Sequence, residues 1–305
     1  MSQPSVLPIN PDHVRQQFTR RSPLDAAQFL YGEIAQRLLQ RLSYIRLQPN
    51  HILDAGCGAA HALEPLRSRY TEAAYTGLDA CETLLNVAQQ RHAKRPGLWQ
   101  KLRKIAAPKP EFVLGDLAKS SISPSSIDLV WSNLALHWHP EPHKVFEEWY
   151  RLLRSGGLAM FSAFGPASLQ ELRQALTDAK IETQTLQFVD MHDFGDLLLE
   201  RGFTDPVMDQ EIITLTYRHA EKLLADVWNL GGNPSTQRRP GLVGKKWRQR
   251  LLAALESQRQ LDGNIHLTLE VAYGHAWRAA QVRKASGEVR ISIDSIGRAP
   301  KRDDN

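Results

Sequence analysis

Apolar residues in this chain fall into short runs that end in acids or glycines, with helically spaced segments between them. The first pattern is helical: Phe29, Leu30, Ile34, Leu38, Leu39 and Leu42 line one side of a segment that predicts helix over 14–46. Ile52 and Leu53 then form a strand-like run that ends in Asp54 and passes straight into Gly56-Cys57-Gly58. The same order recurs. Residues 74–78 run into Asp79, 111–114 into Gly115-Asp116-Leu117, and 127–131 into Ser132-Asn133, while 158–164 make a fifth run. Residues 61–69, 81–91 and 141–153 read as helices, the last expected to stop at Ser155-Gly156-Gly157 as a glycine cap. Short strands alternating with helices predict an α/β fold with a doubly wound, largely parallel sheet.

Beyond residue 164 the pattern changes. Helices are expected over 168–180 and 191–201, the second capped by Gly202, and two long strands over 207–217 and 266–277. Between those strands lies a basic helical insertion, 218–262, with the turn Gly231-Gly232-Asn233-Pro234 inside it. The two strands should form an antiparallel edge to the sheet. One main domain, 14–280, would then be flanked by a loose, proline-bearing segment 1–13 and a weakly hydrophobic tail 281–305. Residues 91–110, basic and with three prolines, read as a loop insertion.

Composition narrows the class. At 42% apolar and 23% charged, the 305 residues are ordinary for a globular protein. No unbroken apolar run reaches the roughly 18 residues of a membrane span, and the N-terminus lacks a secretory pattern. Cys57 and Cys81 give no disulfide framework, so a cytoplasmic setting is expected. A net charge of +5 suits an acidic protein or a phosphate and does not argue for nucleic acid.

The chemistry concentrates at the strand ends. Glycines at 56 and 58 let the main chain turn sharply and let a ligand approach it. A dinucleotide fingerprint would need a third glycine where the chain has His61, which disfavours a nicotinamide site. Asp79 lies about 20 residues past the glycine turn, the register at which an acid takes ribose hydroxyls, although an acid after a strand is also a common helix cap. Asp116 could accept from an exocyclic amine, and only its place in the strand-then-acid order separates it from a turn aspartate. Residues 132–139, SNLALHWH, stand at the fourth strand's carboxyl edge, where open α/β sheets bind ligands. No Ser-His-Asp, Cys-His, paired-carboxylate or metal-ligand set is readable.

Taken together, LDAGCG, GLDACETLL, GDLAKSSIS, IDLVWSNLALHWHPEP and RLLRSGGLAMFSAFGPASLQELRQAL resemble class I S-adenosylmethionine methyltransferases. More closely, the chain is similar to the malonyl-acyl-carrier-protein O-methyltransferases of biotin synthesis, over about 14–278. The resemblance implies a Rossmann-like sheet of seven strands with an antiparallel C-terminal strand, and S-adenosylmethionine as cofactor. It also implies site roles: Asp54 with the backbone of Gly56, Cys57 and Gly58 for the amino-acid part, Asp79 for the ribose, Asp116 and Leu117 for the adenine, and Asn133 for the methionine end. His137 becomes an acceptor-side candidate, with packing beside Trp138 the plainer reading. Arg20-Arg21 and Lys245-Lys246-Arg248-Arg250 become candidate contacts for an acyl carrier protein bearing a malonyl thioester. Two departures stand out: Ala60 occupies a position where many members carry glycine, and the front FTRRSPLDAAQFLYGEIAQRL is less similar. Alternatives left open are an assembly factor or arginine hydroxylase acting on a respiratory-complex subunit, and a methyltransferase for another small carboxylic acid.

Overall fold

Residue 128 shows how the sheet is tied together in the computed structural model, which describes residues 6–92, 108–239, 241 and 244–279. Asp128, 2% exposed, accepts at Oδ2 from the amides of Asn50 (2.7 Å) and His51 (2.9 Å) and pairs with Arg154. One carboxylate thus fixes the entry of strand β1 (His51–Ala55) beside β4 (Ile127–Asn133). The remaining strands are β2 (Ala74–Asp79), β3 (Glu111–Leu114), β5 (Leu153–Phe164), β6 (Phe203–Tyr217) and β7 (Ile265–Arg278). They form one seven-stranded sheet in the order β3-β2-β1-β4-β5-β7-β6. The first five are parallel, and β7 is inserted antiparallel to both β5 and β6.

Helices cover both faces, as continuously apolar parallel strands require. On one face α2 (Gln28–Ser43) buries Leu30, Ile34, Leu38 and Leu42, spaced four apart so that they form one stripe against the sheet. Helices α3 (Leu63–Arg69) and α4 (Glu82–His92) follow β1 and β2. On the other face α5 (Pro142–Leu152) and α7 (Met191–Glu200) bring Phe146, Trp149 and Phe194 onto Phe161, with ring centroids 5.4–6.1 Å apart. The insertion between β6 and β7 supplies α8 (Ala220–Asn229) and α9 (Lys245–Ser257), which share a third apolar cluster with α6 (Gln170–Asp178) through Leu223, Leu251, Leu255, Leu172 and Leu176.

Several expectations need correction. The N-terminal helix is two: α1 (Pro11–Arg21) starts under an Asn10 cap, and the chain breaks at Ser22-Pro23, where proline has no amide to donate, before α2 begins. The segment before residue 14 is not loose from Leu7 onward. Leu7 donates to Pro140 (2.8 Å), Asn10 to Pro234 (3.1 Å), and Pro8 accepts from Thr236 (2.8 Å); these are main-chain bonds that side-chain polarity does not announce. Ser155-Gly156-Gly157 does not cap α5, because Leu153 already adopts extended angles (φ −64°, ψ 141°) and the three residues lie inside β5. Gly157 serves close packing there: a Cβ would stand 3.2 Å from the Asp128 carbonyl. The last two strands do pair antiparallel at the edge of the sheet, as expected, with β7 rather than β6 next to β5. Residues 93–107 of the expected basic loop and the expected tail lie outside the described residues.

No helix among the described residues is long and apolar enough to cross a membrane. Replacing Asp128 by Ala leaves two partly buried amides without their acceptor and should cost about 2 kcal/mol, within the range for bonds to a charged group. Equilibrium urea unfolding measures it; an unchanged midpoint would refute the role given to this residue.

Candidate active site

The parallel strands end together, and the chain leaves β1 through a turn that only glycine can make. Gly56 has φ +80°, and a Cβ there would lie 2.2 Å from the Cβ of Ala135, on the loop after β4. The turn is held onto β2 by the Leu78 carbonyl, which accepts from both Gly56 (2.8 Å) and Cys57 (3.1 Å). Four residues past Gly56, Ala60 has φ +57° and is buried. It occupies the left-handed region, which a Cβ disfavours by roughly 1–2 kcal/mol and which glycine enters freely. The position at which the resemblance expects glycine is therefore one where the backbone favours it.

Asp79 closes the corner. Its Oδ2 accepts from the Gly58 amide and its Oδ1 from the Cys81 amide, both at 2.8 Å. The carboxylate thus orients the chain entering α4, and the residue lines the cavity. Burial raises its pKa, and the amides oppose that rise. Asp54 lies behind the turn, 2% exposed, with the Tyr75 hydroxyl donating to it at 2.6 Å. Burial raises its carboxyl to about 7, the Tyr75 bond acts in the opposite sense, and the Asp79 charge adds to the rise.

These groups open on a cavity of about 730 Å³, a size typical of cofactor sites. Asp54, Gly56, Cys57, Gly58, Asp79, Asp116, Leu117 and Asn133 all line it. Asn133 has little hydrogen-bonding capacity to spare: its Nδ2 donates to the Tyr31 carbonyl (3.0 Å) and its Oδ1 accepts from Ser162 (2.9 Å). It braces β4 between β5 and α2. At the other end Asp116 accepts from the Ala118 amide (2.7 Å) and from His139 (3.2 Å), whose bond is the main reason its carboxyl sits below the usual range.

His137 is not among the lining residues. It is 2% exposed, accepts from the Phe164 amide at 3.3 Å, and has the rings of Trp138, Phe164 and Phe188 at 4.8, 4.8 and 5.6 Å. Burial pushes its imidazole down to about 3, so it is neutral at physiological pH. Arg21 is not a surface cation either. It is buried, stacks 3.9 Å over Trp228, and donates to the Trp228 carbonyl and to the Gln17 carbonyl and side chain. Burial draws it down to about 10. Arg20, by contrast, is exposed, as are Lys245, Lys246, Arg248 and Arg250.

Sequence reasoning missed the roof. Pro11, Val14, Phe18 and Thr19 of α1, Tyr31 of α2 and Trp138 line the cavity from above, with Phe18 set edge-on to Trp138 at 5.4 Å. The spacing 11, 14, 18 marks one helical face and was the available signal. Among the described residues no group of His, Cys, Asp and Glu side chains could hold a metal ion.

The comparisons with known proteins agree with this geometry. A methyltransferase-domain family model matches residues 53–161. The malonyl-[acyl-carrier protein] O-methyltransferase of Laribacter hongkongensis is 40% identical over 290 residues, covering 94% of this chain and 96% of that protein. The protein of the same name from Nitrosospira multiformis is 39% identical, covering 89% and 92%. Among solved structures, Haemonchus contortus phosphoethanolamine N-methyltransferase 2, in complex with phosphomonomethylethanolamine and S-adenosylhomocysteine, shares the fold at a TM-score of 0.52 and 15% identity, covering 87% of this chain and 60% of that one. A corner without room for a side chain, a buttressed acid after β2 and a roofed cavity fit the methionine, ribose and base of such a cofactor. The chain belongs to the malonyl-[acyl-carrier protein] O-methyltransferase family of S-adenosylmethionine-dependent methyltransferases, with S-adenosylmethionine as its cofactor.

Proposed function

We propose that this enzyme methylates the free carboxyl of a malonyl thioester carried on acyl carrier protein, producing the methyl ester used to build the pimeloyl part of biotin. The observation that carries the reading is similarity along 94% of the chain to a relative named for that reaction, well beyond the matched methyltransferase core. We assign the amino-acid part of the cofactor to the Gly56–Gly58 main chain with Asp54 behind it, the ribose to Asp79, the adenine to Asp116 and Leu117, and the methionine end to the wall formed by Asn133.

When bound, the cofactor supplies a methyl group already activated on a sulfonium. The acceptor is ionised at neutral pH, since carboxyl groups titrate near 4, so its oxygen attacks in line without a general base. The cavity's side chains suit that chemistry: His137 is buried and neutral outside the lining, and among the described residues no nucleophile–base pair faces the space. The chain then contributes alignment and exclusion of water, effects that can supply on the order of 7–11 kcal/mol. The α1 roof, with Val14, Phe18 and Trp138, supplies the dry wall. The exposed cations at the start of α9 offer a surface for an acidic carrier protein.

Purified protein incubated with methyl-labelled cofactor and malonyl-carrier protein should yield a labelled, base-labile ester, and the gene should restore growth of a biotin auxotroph lacking this step. No label at saturating substrate would overturn the proposal. Asp79→Ala should weaken S-adenosylhomocysteine binding by about 1.5–3 kcal/mol, read by calorimetry. Cofactor binding should also depend on pH through Asp54. A cationic ammonium docking near this carboxyl favours its ionised form, so the bound pKa falls below the free value of about 7. Affinity then rises as pH increases toward 7 and levels off above it, with net proton release on binding near neutrality. Calorimetry in two buffers of different ionisation enthalpy measures that release, and Asp54→Asn should abolish it.

A further inference from the structure

His139 stands just past the Leu136–Trp138 turn at the carboxyl edge of β4, with a side chain only 12% exposed. Its two ring nitrogens have different partners. Nδ1 accepts from the Glu141 amide at 3.0 Å, so that nitrogen presents a lone pair. A neutral imidazole then carries its proton on Nε2, which faces Asp116 Oδ1 at 3.2 Å and donates to it. The same Oδ1 accepts from the Ala118 amide at 2.7 Å. Two donors on one oxygen fix the carboxylate plane, and among the described residues Oδ2 takes no hydrogen bond. The Asp116 side chain is 52% exposed and would otherwise be free to swing. Both residues line the cavity, beside Leu117 and Pro140.

We propose that His139 is the positioning residue for base recognition: through Nε2–H it locks Asp116 so that Oδ2 accepts from the 6-amino group of the cofactor's purine. This rests on the assignment of Asp116 to the adenine. An ionised carboxylate only accepts hydrogen bonds, so the held oxygen attracts an amino group and repels a 6-oxo group. Released from His139, the same carboxylate can turn away from a 6-oxo base, and selectivity falls. His139 touches neither the sulfonium nor the acceptor in this assignment, so its effect is on which base is bound.

Calorimetry with S-adenosylhomocysteine and its 6-oxo analogue, S-inosylhomocysteine, tests this without any acceptor, independently of the malonyl reading. The unsubstituted enzyme should prefer the adenosyl form by about 10-fold or more. His139→Phe, which fills the ring's space and removes the donor, should reduce the preference to about 2-fold, chiefly by weakening the adenosyl form. His139→Gln, which keeps an amide donor, should restore most of it, and thermal midpoints within a few degrees of the parent show that the variants are folded. Full preference in His139→Phe would overturn the role of His139. Asp116→Asn separates the two layers: loss of preference there with none in His139→Phe removes His139 alone, whereas preference retained in Asp116→Asn removes the adenine assignment and the inference with it.

Discussion

The end of β2 organises this molecule. The carbonyl of Leu78 and the carboxylate of Asp79, adjacent in sequence, together accept hydrogen bonds from Gly56, Cys57, Gly58 and Cys81. Those four amides belong to the turn leaving β1 and to the loop that starts α4. Without these acceptors two loops would each present unpaired donors in a buried corner, at a cost of about 1–3 kcal/mol per group. With them, the turn has one shape, and that shape allows no side chain at Gly56. Asp79 and the glycine turn are therefore one mechanical unit.

A second constraint ties distant parts of the chain above this corner. Arg21 at the end of α1 reaches the carbonyl of Trp228, and Tyr31 of α2 donates to the carbonyl of Leu230 at 2.8 Å. The turn that follows α8 is packed as tightly as the corner below, since a Cβ on Gly231 would meet the Trp138 ring at 2.4 Å. Trp138 in turn faces Phe18 and lines the cavity. The insertion thus holds the roof. Burial of the Arg21 guanidinium is offset at Nε and Nη1, which meet carbonyl and amide oxygens, and at its face, which meets an indole, while Nη2 has no hydrogen-bond partner among the described residues.

The parallel half of the fold was legible because its signals are local. A run such as Ile52-Leu53 ending in Asp54-Ala55-Gly56 carries strand, acid and turn within a few residues, and the sheet's strand ends gather Asp54, Asp79, Asp116 and Asn133 around one space. What could not be read depends on partners far away in sequence. Nothing near Arg21 says that it will stack on Trp228, so it looked like half of a surface cluster. Nothing near Leu7 says that Pro140 will accept its amide. His137 is an acceptor-side candidate in the sequence, with packing beside Trp138 the plainer reading, and it has the surroundings of a core residue in the structure. Ser155-Gly156-Gly157 has the composition of a helix stop, yet the helix had already ended at Leu152 and the glycines lie within the following strand.

The position of β7 bears on how the chain acquires its shape during synthesis. It is the last strand in sequence but lies within the sheet, with β5 on one side and the 15-residue β6 on the other. Until residues 265–278 have left the ribosome, β6 has no neighbour in the sheet and β5 has a bare outer edge. Nascent chains interrupted in the insertion would leave both β5 and β6 with open edges, the feature that recruits unintended pairing. Completion of the sheet is therefore a late, long-range event that waits on the C-terminal strand, although the corner between Gly56 and Asp79 is assembled from residues translated far earlier.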